Sequence, residues 1–166
     1  GLTSRAEGFE FMPHVQQFTL GGFTQDVTAA LGWLRAHVQS NVRVYVVGFC
    51  IGGSLTLVTG ANRAHGFAGL IPFYAGLSRA FGEAGTALDN GNRVCAPVEA
   101  FFGGADGGIP LSAVQALDER LDEAGVAHTV TVYPGAPHSF FDRRWTEFAD
   151  ASADAWSRLL AFIGRG

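Results

Sequence analysis

A cysteine, an aspartate and a histidine occur in that order along the chain, each in a segment rich in glycine or proline: Cys50, Asp106 and His138. A cysteine thiolate is a nucleophile, an imidazole can take up and return its proton, and a carboxylate can hold the imidazole in one orientation. Together these residue types predict acyl transfer through a covalent intermediate on Cys50.

The segment around Cys50 has the sequence GFCIGG over residues 48–53. It fits the pattern G-x-nucleophile-x-G, in which the nucleophile occupies a strained turn between a strand and a helix. The turn places Cys50 at the amino end of a helix, where the dipole favours the thiolate, and it makes the Ile51 N–H a donor to an oxyanion. We expect Gly48 and Gly52 to be packed too closely to admit a side chain, so that Gly52→Val destroys folding or activity.

The predicted base and its orienting acid lie in two further turns. His138 is part of YPGAPHSF, whose prolines and glycine favour a rigid loop suited to a general base. Asp106, in FGGADGGIP, is predicted to orient His138, and the alternative is an ordinary turn aspartate. Asp142 is a rival acid, but its position four residues after His138 better fits a cap or an ion pair with the arginines that follow it.

Five aromatic residues lie near the predicted strand ends and are candidates for the wall of an apolar substrate pocket. They are Phe49, Tyr74, Phe102, Phe140 and Phe141. Ordinary core packing is the alternative for each of them.

The elements that must position these residues follow from apolar periodicity and from glycine and proline punctuation. Strands are predicted over 43–48, 66–73, 98–103 and 129–133. Helices are predicted over 25–39, 54–61, 111–124 and 146–163, and Thr24 is the predicted N-cap of the first of them. Residues 1–23 are predicted to be irregular, and 77–96 has no clear element. Alternating strands and helices indicate an α/β fold with a parallel sheet and flanking helices in a single domain. The carboxyl ends of the strands then bring the three reactive residues to one edge of the sheet.

Composition excludes several other kinds of chemistry. Acidic residues number 15 and basic residues 11, a net charge of −4 that argues against nucleic-acid binding. All the basic residues are arginine, and the lack of lysine excludes a Walker-A loop and Schiff-base or pyridoxal-phosphate chemistry. The scattered histidines, with no metal-ligand spacing among them, argue against a metal site. No apolar run is long enough for a membrane span, and the amino-terminal residues lack a signal-peptide pattern, so we expect a cytoplasmic protein with reduced thiols.

With GFCIGG, GGADGGIP and YPGAPHSFFD in this order, the chain resembles the dienelactone hydrolase family, the cysteine branch of the α/β-hydrolases, from about residue 12 to its end. The resemblance implies Cys50 as nucleophile, Asp106 as orienting acid and His138 as general base. It also implies hydrolysis of a small ester or lactone through an acyl-cysteine, with no metal or cofactor. Class I glutamine amidotransferases share G-x-C-x-G. However, Gly53 stands where those enzymes typically have glutamine or histidine, and Phe140 stands where they have a glutamate.

The chain departs from this family in two ways. Members have further strands and helices before the point where this chain begins, and these supply a second oxyanion N–H, a glutamate and a substrate-binding arginine. The chain is therefore expected to be the carboxyl-terminal part of a member. Asp142 also stands where the dienelactone-specific enzymes have an arginine, so a generic small ester or lactone is the expected substrate.

Two other functions remain open. The same residues would serve acyl transfer or thioester hydrolysis on a larger substrate. Alternatively, the chain is a non-catalytic or weakly active fragment that binds a partner along the uncovered edge beside residues 43–48, through which we also expect self-association.

Overall fold

The structure, a computed structural model, describes residues 10, 12–38, 42–142 and 144–165. The chain forms two compact units, Gly1–Val38 and Gln39–Gly166. The expectation that the chain forms a single domain therefore stays a prediction.

The described residues of the smaller unit form two helices, α1 (Met12–Gln17) and α2 (Leu20–His37). The prediction of irregular chain up to residue 23 is therefore wrong for residues 12–17 and 20–23, while residues 1–9 and 11 lie outside the described residues. The N-cap is Thr19 rather than Thr24, because the Thr19 hydroxyl accepts a hydrogen bond from the Gly22 N–H at 3.2 Å. Pro13 is tolerated because it lies in the first turn of α1, where a helix does not use the N–H.

The larger unit is built on a sheet of four parallel strands. These are β1 (Tyr45–Phe49), β2 (Gly69–Phe73), β3 (Val98–Gly103) and β4 (His128–Tyr133), in the spatial order β1-β2-β3-β4. The predicted parallel α/β architecture is confirmed. The second strand begins at residue 69 rather than 66, because Gly66, with φ 59°, ends a short 3₁₀ turn over Arg63–His65.

In the part of this unit that the structure describes, four α-helices accompany the sheet: α3 (Ile51–Gly60), α4 (Ala87–Asn90), α5 (Leu111–Ala124) and α6 (Ala149–Gly164). The bounds of α5 are those predicted. Helix α3 begins three residues earlier than predicted, because the Ser54 N–H donates to the Cys50 carbonyl at 3.1 Å and so closes the first turn directly after β1. Residues 53–60 of α3 are buried, since the helix packs against both β1 and β2.

The core of this unit lies around β2 and β3, whose residues are all buried. In the part of the chain that the structure describes, β1 pairs with β2 alone, and Val47 and Phe49 are each 40% exposed. Within the described residues, β1 is therefore an edge strand with accessible apolar side chains, as predicted. Among the described residues, no helix has both the length and the apolar character that crossing a membrane requires.

Candidate active site

Cys50 occupies the turn between β1 and α3. Its backbone has φ 55° and ψ −119°, a conformation that side-chain-bearing residues rarely adopt. Two hydrogen bonds keep it there: its N–H donates to the carbonyl of Phe73 at 3.1 Å, and its own carbonyl accepts the Ser54 N–H. The predicted strained turn is confirmed, and the Cys50 side chain is exposed. Ile51 follows as the first residue of α3, where an N–H has no partner within a helix.

The glycines around this turn differ from the prediction in one respect. A Cβ on Gly48 would overlap the Gly52 carbonyl oxygen and the Thr56 hydroxyl, so the tight packing predicted there is confirmed. A Cβ on Gly52 would meet nothing within 4 Å, so the prediction for that position is wrong. The crowded position is Gly53, where a Cβ would lie 2.8 Å from the Phe73 carbonyl oxygen. Successive helical residues point about 100° apart, which turns residue 53 toward β2 and residue 52 away from it.

Asp106 and His138 are in direct contact. Asp106 Oδ2 lies 2.6 Å from His138 Nδ1, and Asp106 Oδ1 accepts the Gly108 N–H at 2.9 Å. The Asp106 side chain is 3% exposed, whereas that of His138 is 39% exposed. Because a carboxylate only accepts, the Nδ1–H donates to it, and the lone pair of the neutral imidazole remains on Nε2. The predicted contact is present, and the imidazole is arranged as a general base requires.

Two glycines bring the loops of Asp106 and His138 together at the end of β3. The Gly104 N–H donates to the Tyr133 carbonyl at 2.8 Å, and the Ala105 N–H donates to the Ala136 carbonyl at 2.9 Å. A Cβ on Gly103 would overlap the Ala136 carbonyl oxygen. The absence of a side chain at residue 103 therefore allows the loop that carries His138 to lie against β3.

The five aromatic residues proposed as a pocket wall have different surroundings. Tyr74 and Phe140 are fully buried, and the Tyr74 ring meets the His138 ring edge-on at a centroid distance of 5.0 Å. Phe49 and Phe141 are both accessible, and their rings stack with centroids 6.0 Å apart. Phe102 is fully buried and, by the alternation of strand residues, lies on the opposite sheet face from Phe101.

Tyr74 has features that the sequence analysis missed. It is a non-glycine residue with φ 36°, and its buried hydroxyl has no hydrogen-bond partner. Burial raises the pKa of this phenol, and the negative charge of Asp142 and that of Cys50 in its thiolate form raise it further. The available sequence signal was its place directly after an apolar strand that runs beside the strand of Cys50.

The link between Cys50 and His138 is less direct than the link between His138 and Asp106. Among the described residues, the Cys50 thiol makes no hydrogen bond to His138. Such contacts are often long until substrate is bound, so this half of the predicted relay stays a prediction. Asp142 is exposed and donates its backbone N–H to the Ser139 carbonyl at 3.3 Å, which closes the turn after His138.

A cleft of about 520 Å³ lies beside the first turns of α6. It is lined by Tyr133, Pro134 and residues 147–151 and 154, and by none of the three candidate catalytic residues. Within the residues described, no group of three or more histidine, cysteine, aspartate or glutamate side chains is arranged to hold a metal ion.

Comparison with known proteins bears on this arrangement. The family model of the dienelactone hydrolase family matches residues 2–165. The chain belongs to the dienelactone hydrolase family. The motifs around Cys50, Asp106 and His138 thus identified the family from sequence.

Individual relatives agree with this assignment. A Synechocystis sp. protein named as a carboxymethylenebutenolidase is 32% identical over 143 residues, which are 81% of this chain and 55% of the relative. A protein of the same name from Methylorubrum extorquens is 30% identical over 141 residues, 81% of this chain and 47% of the relative. The chain thus spans about half the length of the curated relatives it matches.

The fold is shared with solved members of the family. A crystal structure named as a dienelactone hydrolase from Klebsiella pneumoniae subsp. pneumoniae superposes with a TM-score of 0.79 at 23% identity. The match covers 92% of this chain and 64% of that one. The four parallel strands and their helices are therefore a large part of a dienelactone hydrolase fold.

Proposed function

We propose that this chain carries the catalytic residues of a hydrolase that cleaves small carboxylic esters or lactones through an acyl-cysteine, with no cofactor. The observation that carries the proposal is the 2.6 Å contact between Asp106 and His138, in loops that follow β3 and β4. The strained Cys50 follows β1 of the same parallel sheet. In open α/β sheets, ligands bind beyond the carboxyl ends of the strands.

The proposed reaction has two stages. His138 Nε2 takes the proton of the Cys50 thiol as the sulfur attacks the carbonyl carbon, and the carbonyl oxygen becomes an oxyanion that accepts the Ile51 N–H. The intermediate collapses, and the alkoxide leaves with the proton from His138. Water then gives a proton to His138 and attacks the thioester carbonyl carbon. The C–S bond breaks, the acid is released, and the sulfur takes the proton from His138 to restore the thiol. Asp106 holds the imidazole and stabilises its charged form in both stages.

We propose a neutral ester or lactone as the substrate class. Asp142 is exposed in the turn that follows His138, where the dienelactone-specific enzymes have an arginine. The negative charge of Asp142 raises the pKa of Tyr74, whose ring contacts the ring of His138. A negative charge at this place repels a substrate carboxylate, whereas an arginine would bind it. The accessible rings of Phe49 and Phe141 favour an apolar acyl group.

A binding role is the second candidate, and the exposed edge of β1 favours it. We propose that this edge pairs with a second copy of the chain rather than with nucleic acid or membrane, and that the protein is cytoplasmic. Exposed strand edges with apolar side chains are prone to such pairing. This role and hydrolysis use different parts of the fold and are tested separately.

Hydrolysis of p-nitrophenyl acetate by Cys50→Ala tests the proposed enzyme, with Cys95→Ala as the matched control. The Cys95 thiol donates to the Gly60 carbonyl at 3.0 Å and lies before β3, at the opposite end of that strand from Asp106. We expect Cys50→Ala to lose essentially all turnover and Cys95→Ala to keep most of it. Equal turnover in the wild type and Cys50→Ala would overturn the proposal.

A further inference from the structure

The hydroxyl of Tyr74 is a buried polar group with nothing to bond to. The residue is 1% exposed, and its Oη is the one buried side-chain nitrogen or oxygen atom without a hydrogen-bond partner among the residues that the structure describes. The other well-buried tyrosine, Tyr133, donates its hydroxyl to Asp154 at 2.9 Å. A buried hydroxyl without a partner lowers stability, so its retention calls for an explanation.

Tyr74 is the first residue after β2, as Cys50 is the first residue after β1. Phe49 pairs with Phe73 in the sheet, so the next residues, Cys50 and Tyr74, are neighbours in register. Both have a positive φ, 55° for Cys50 and 36° for Tyr74. The Tyr74 N–H donates to the Phe101 carbonyl at 2.7 Å, just as the Cys50 N–H donates to Phe73. Two adjacent strand ends thus each hold a non-glycine residue at a positive φ, and strained residues of this kind cluster at functional sites.

The groups around the Tyr74 side chain are those of the candidate active site. Its ring lies edge-on to His138, with Asp106 behind the imidazole, and packs against the ring of Phe140 at 5.8 Å. The titratable neighbours are Cys50, His138 and Asp142. Burial, the negative charge of Asp142 and that of Cys50 in its thiolate form all oppose ionisation of the phenol. The phenol therefore keeps its proton at neutral pH and is a hydrogen-bond donor without an acceptor in this structure.

We propose that the Tyr74 hydroxyl is a further catalytic residue, which donates a hydrogen bond to the sulfur of Cys50 once that sulfur is a thiolate. In the structure the hydroxyl makes no hydrogen bond to the Cys50 sulfur. A neutral thiol is a weak acceptor, and the proposed contact forms when the sulfur gains its charge and turns toward the phenol. When the thiol proton moves to His138 Nε2, the sulfur becomes a charged acceptor on the residue that neighbours Tyr74 in register, and the phenol keeps its own proton. Asp142 is the less suitable acceptor, because it is exposed and solvated by water. The proposal rests on the proposed function for the assignment of Cys50 as the nucleophile.

The proposed hydrogen bond is tested by comparing wild type with Tyr74→Phe. The rate of Cys50 alkylation by iodoacetamide is measured from pH 5 to pH 10 by mass spectrometry, with the Cys95 peptide as internal reference. Loss of a hydrogen bond to a charged sulfur should raise the midpoint of the Cys50 profile by about one pH unit. Below the midpoint, the variant has roughly tenfold less Cys50 thiolate, but each thiolate is about threefold more nucleophilic, so the alkylation rate falls about threefold. On the alkaline plateau, the rate of the variant should exceed that of the wild type by about threefold. The two profiles therefore cross, which a merely structural role of the hydroxyl would not cause.

Tyr133→Phe is the matched control, because it also removes a buried phenolic hydroxyl beside Phe140. It should lower the melting temperature, since Asp154 loses a hydrogen bond, and it should leave the Cys50 profile unchanged. Tyr74→Phe should melt at the wild-type temperature or above it, since its hydroxyl has no partner to lose.

An unchanged midpoint in Tyr74→Phe, an equal shift in both variants, or failure of Tyr74→Phe to fold would each overturn the proposal. Alkylation needs no ester substrate, so this result is separable from the proposed function. If Cys50→Ala retains hydrolysis while Tyr74→Phe shifts the midpoint, the proposed function fails and the hydrogen bond to sulfur stands.

Discussion

Oδ2 of Asp106 lies 2.6 Å from Nδ1 of His138, across 32 positions of the sequence. The other carboxylate oxygen is held by the Gly108 N–H, and the two loops are joined by backbone hydrogen bonds from Gly104 and Ala105. The carboxylate is buried and the imidazole is partly exposed. This arrangement fixes the angle of the imidazole from behind and leaves Nε2 free for chemistry, so its disruption should affect catalysis more than folding.

Asp106→Asn should reduce kcat for a chromogenic ester by about 10³-fold or more, because an amide that donates to Nδ1 selects the wrong tautomer of His138. Binding should change little. Asp142→Asn, the change at the rival acid, should retain far more turnover of a neutral ester. The assignment of Asp106 is wrong if Asp142→Asn is the more damaging of the two, as measured by steady-state kinetics.

The glycines of the Cys50 turn should differ sharply in their tolerance of alanine. Gly48→Ala and Gly53→Ala force a methyl group into backbone or side-chain atoms, and we expect each to lower the free energy of unfolding by about 1–3 kcal/mol. Gly52→Ala meets open space within a helix and should raise it by about 0.5–1 kcal/mol. Urea denaturation measures all three, and a Gly52→Ala protein as unstable as Gly48→Ala would contradict the packing described above.

Asp142→Arg should change the preferred charge of the substrate. An arginine four residues after His138 can pair with a substrate carboxylate, and a hydrogen bond between charged groups is worth about tenfold or more in binding. The ratio of kcat/KM for a carboxylate-bearing lactone to that for a neutral ester should therefore rise by about tenfold. The rise should shrink in high salt. An unchanged ratio would show that residue 142 does not contact the acyl group.

Glu99→Gln should stabilise the protein at alkaline pH. The Glu99 side chain is 3% exposed, and burial raises the pKa of its carboxyl above the ordinary 4.5, against the opposing effect of Arg165. Because the pKa is higher in the folded state, the stability from this group is greatest below pH 4.5 and is lost as pH rises through the folded-state pKa. Glu99→Gln should thus melt at a higher temperature than wild type at pH 8 and at a similar one at pH 4.

The exposed Glu123→Gln is the control for this comparison, since its charge is solvated in both states. A Glu99→Gln protein that melts at a lower temperature than wild type at pH 8 would show that the ion pair with Arg165 outweighs the cost of burying the charge.

Val47→Lys should weaken self-association. A lysine on the exposed β1 edge places a charge where a second strand would pair, which is how natural sheets protect their edges. Light scattering over a range of protein concentrations should show a smaller mean mass than for the wild type. Leu111→Lys, at an apolar residue 53% exposed at the start of α5, should leave the mass unchanged. A monomeric wild type would contradict the prediction.

Much of the candidate site followed from local chemistry. Glycine and proline spacing around Cys50, Asp106 and His138 indicated three turns, and the apolar strands before them indicated a common sheet edge. The start of helix α2 was placed less well, because Thr19 and Thr24 are both good N-caps, and propensity alone does not choose between them.

By itself, the sequence determined the family, the parallel sheet and the order of the three reactive residues, because these depend on short-range patterns of apolar, glycine and proline residues. Tertiary structure alone decided that Gly53 rather than Gly52 must lack a side chain, since that depends on which way α3 faces β2. It also decided that Tyr74 is buried without a partner beside Cys50 and His138. Burial and register arise between strands distant in sequence, so no local pattern around residue 74 encodes them.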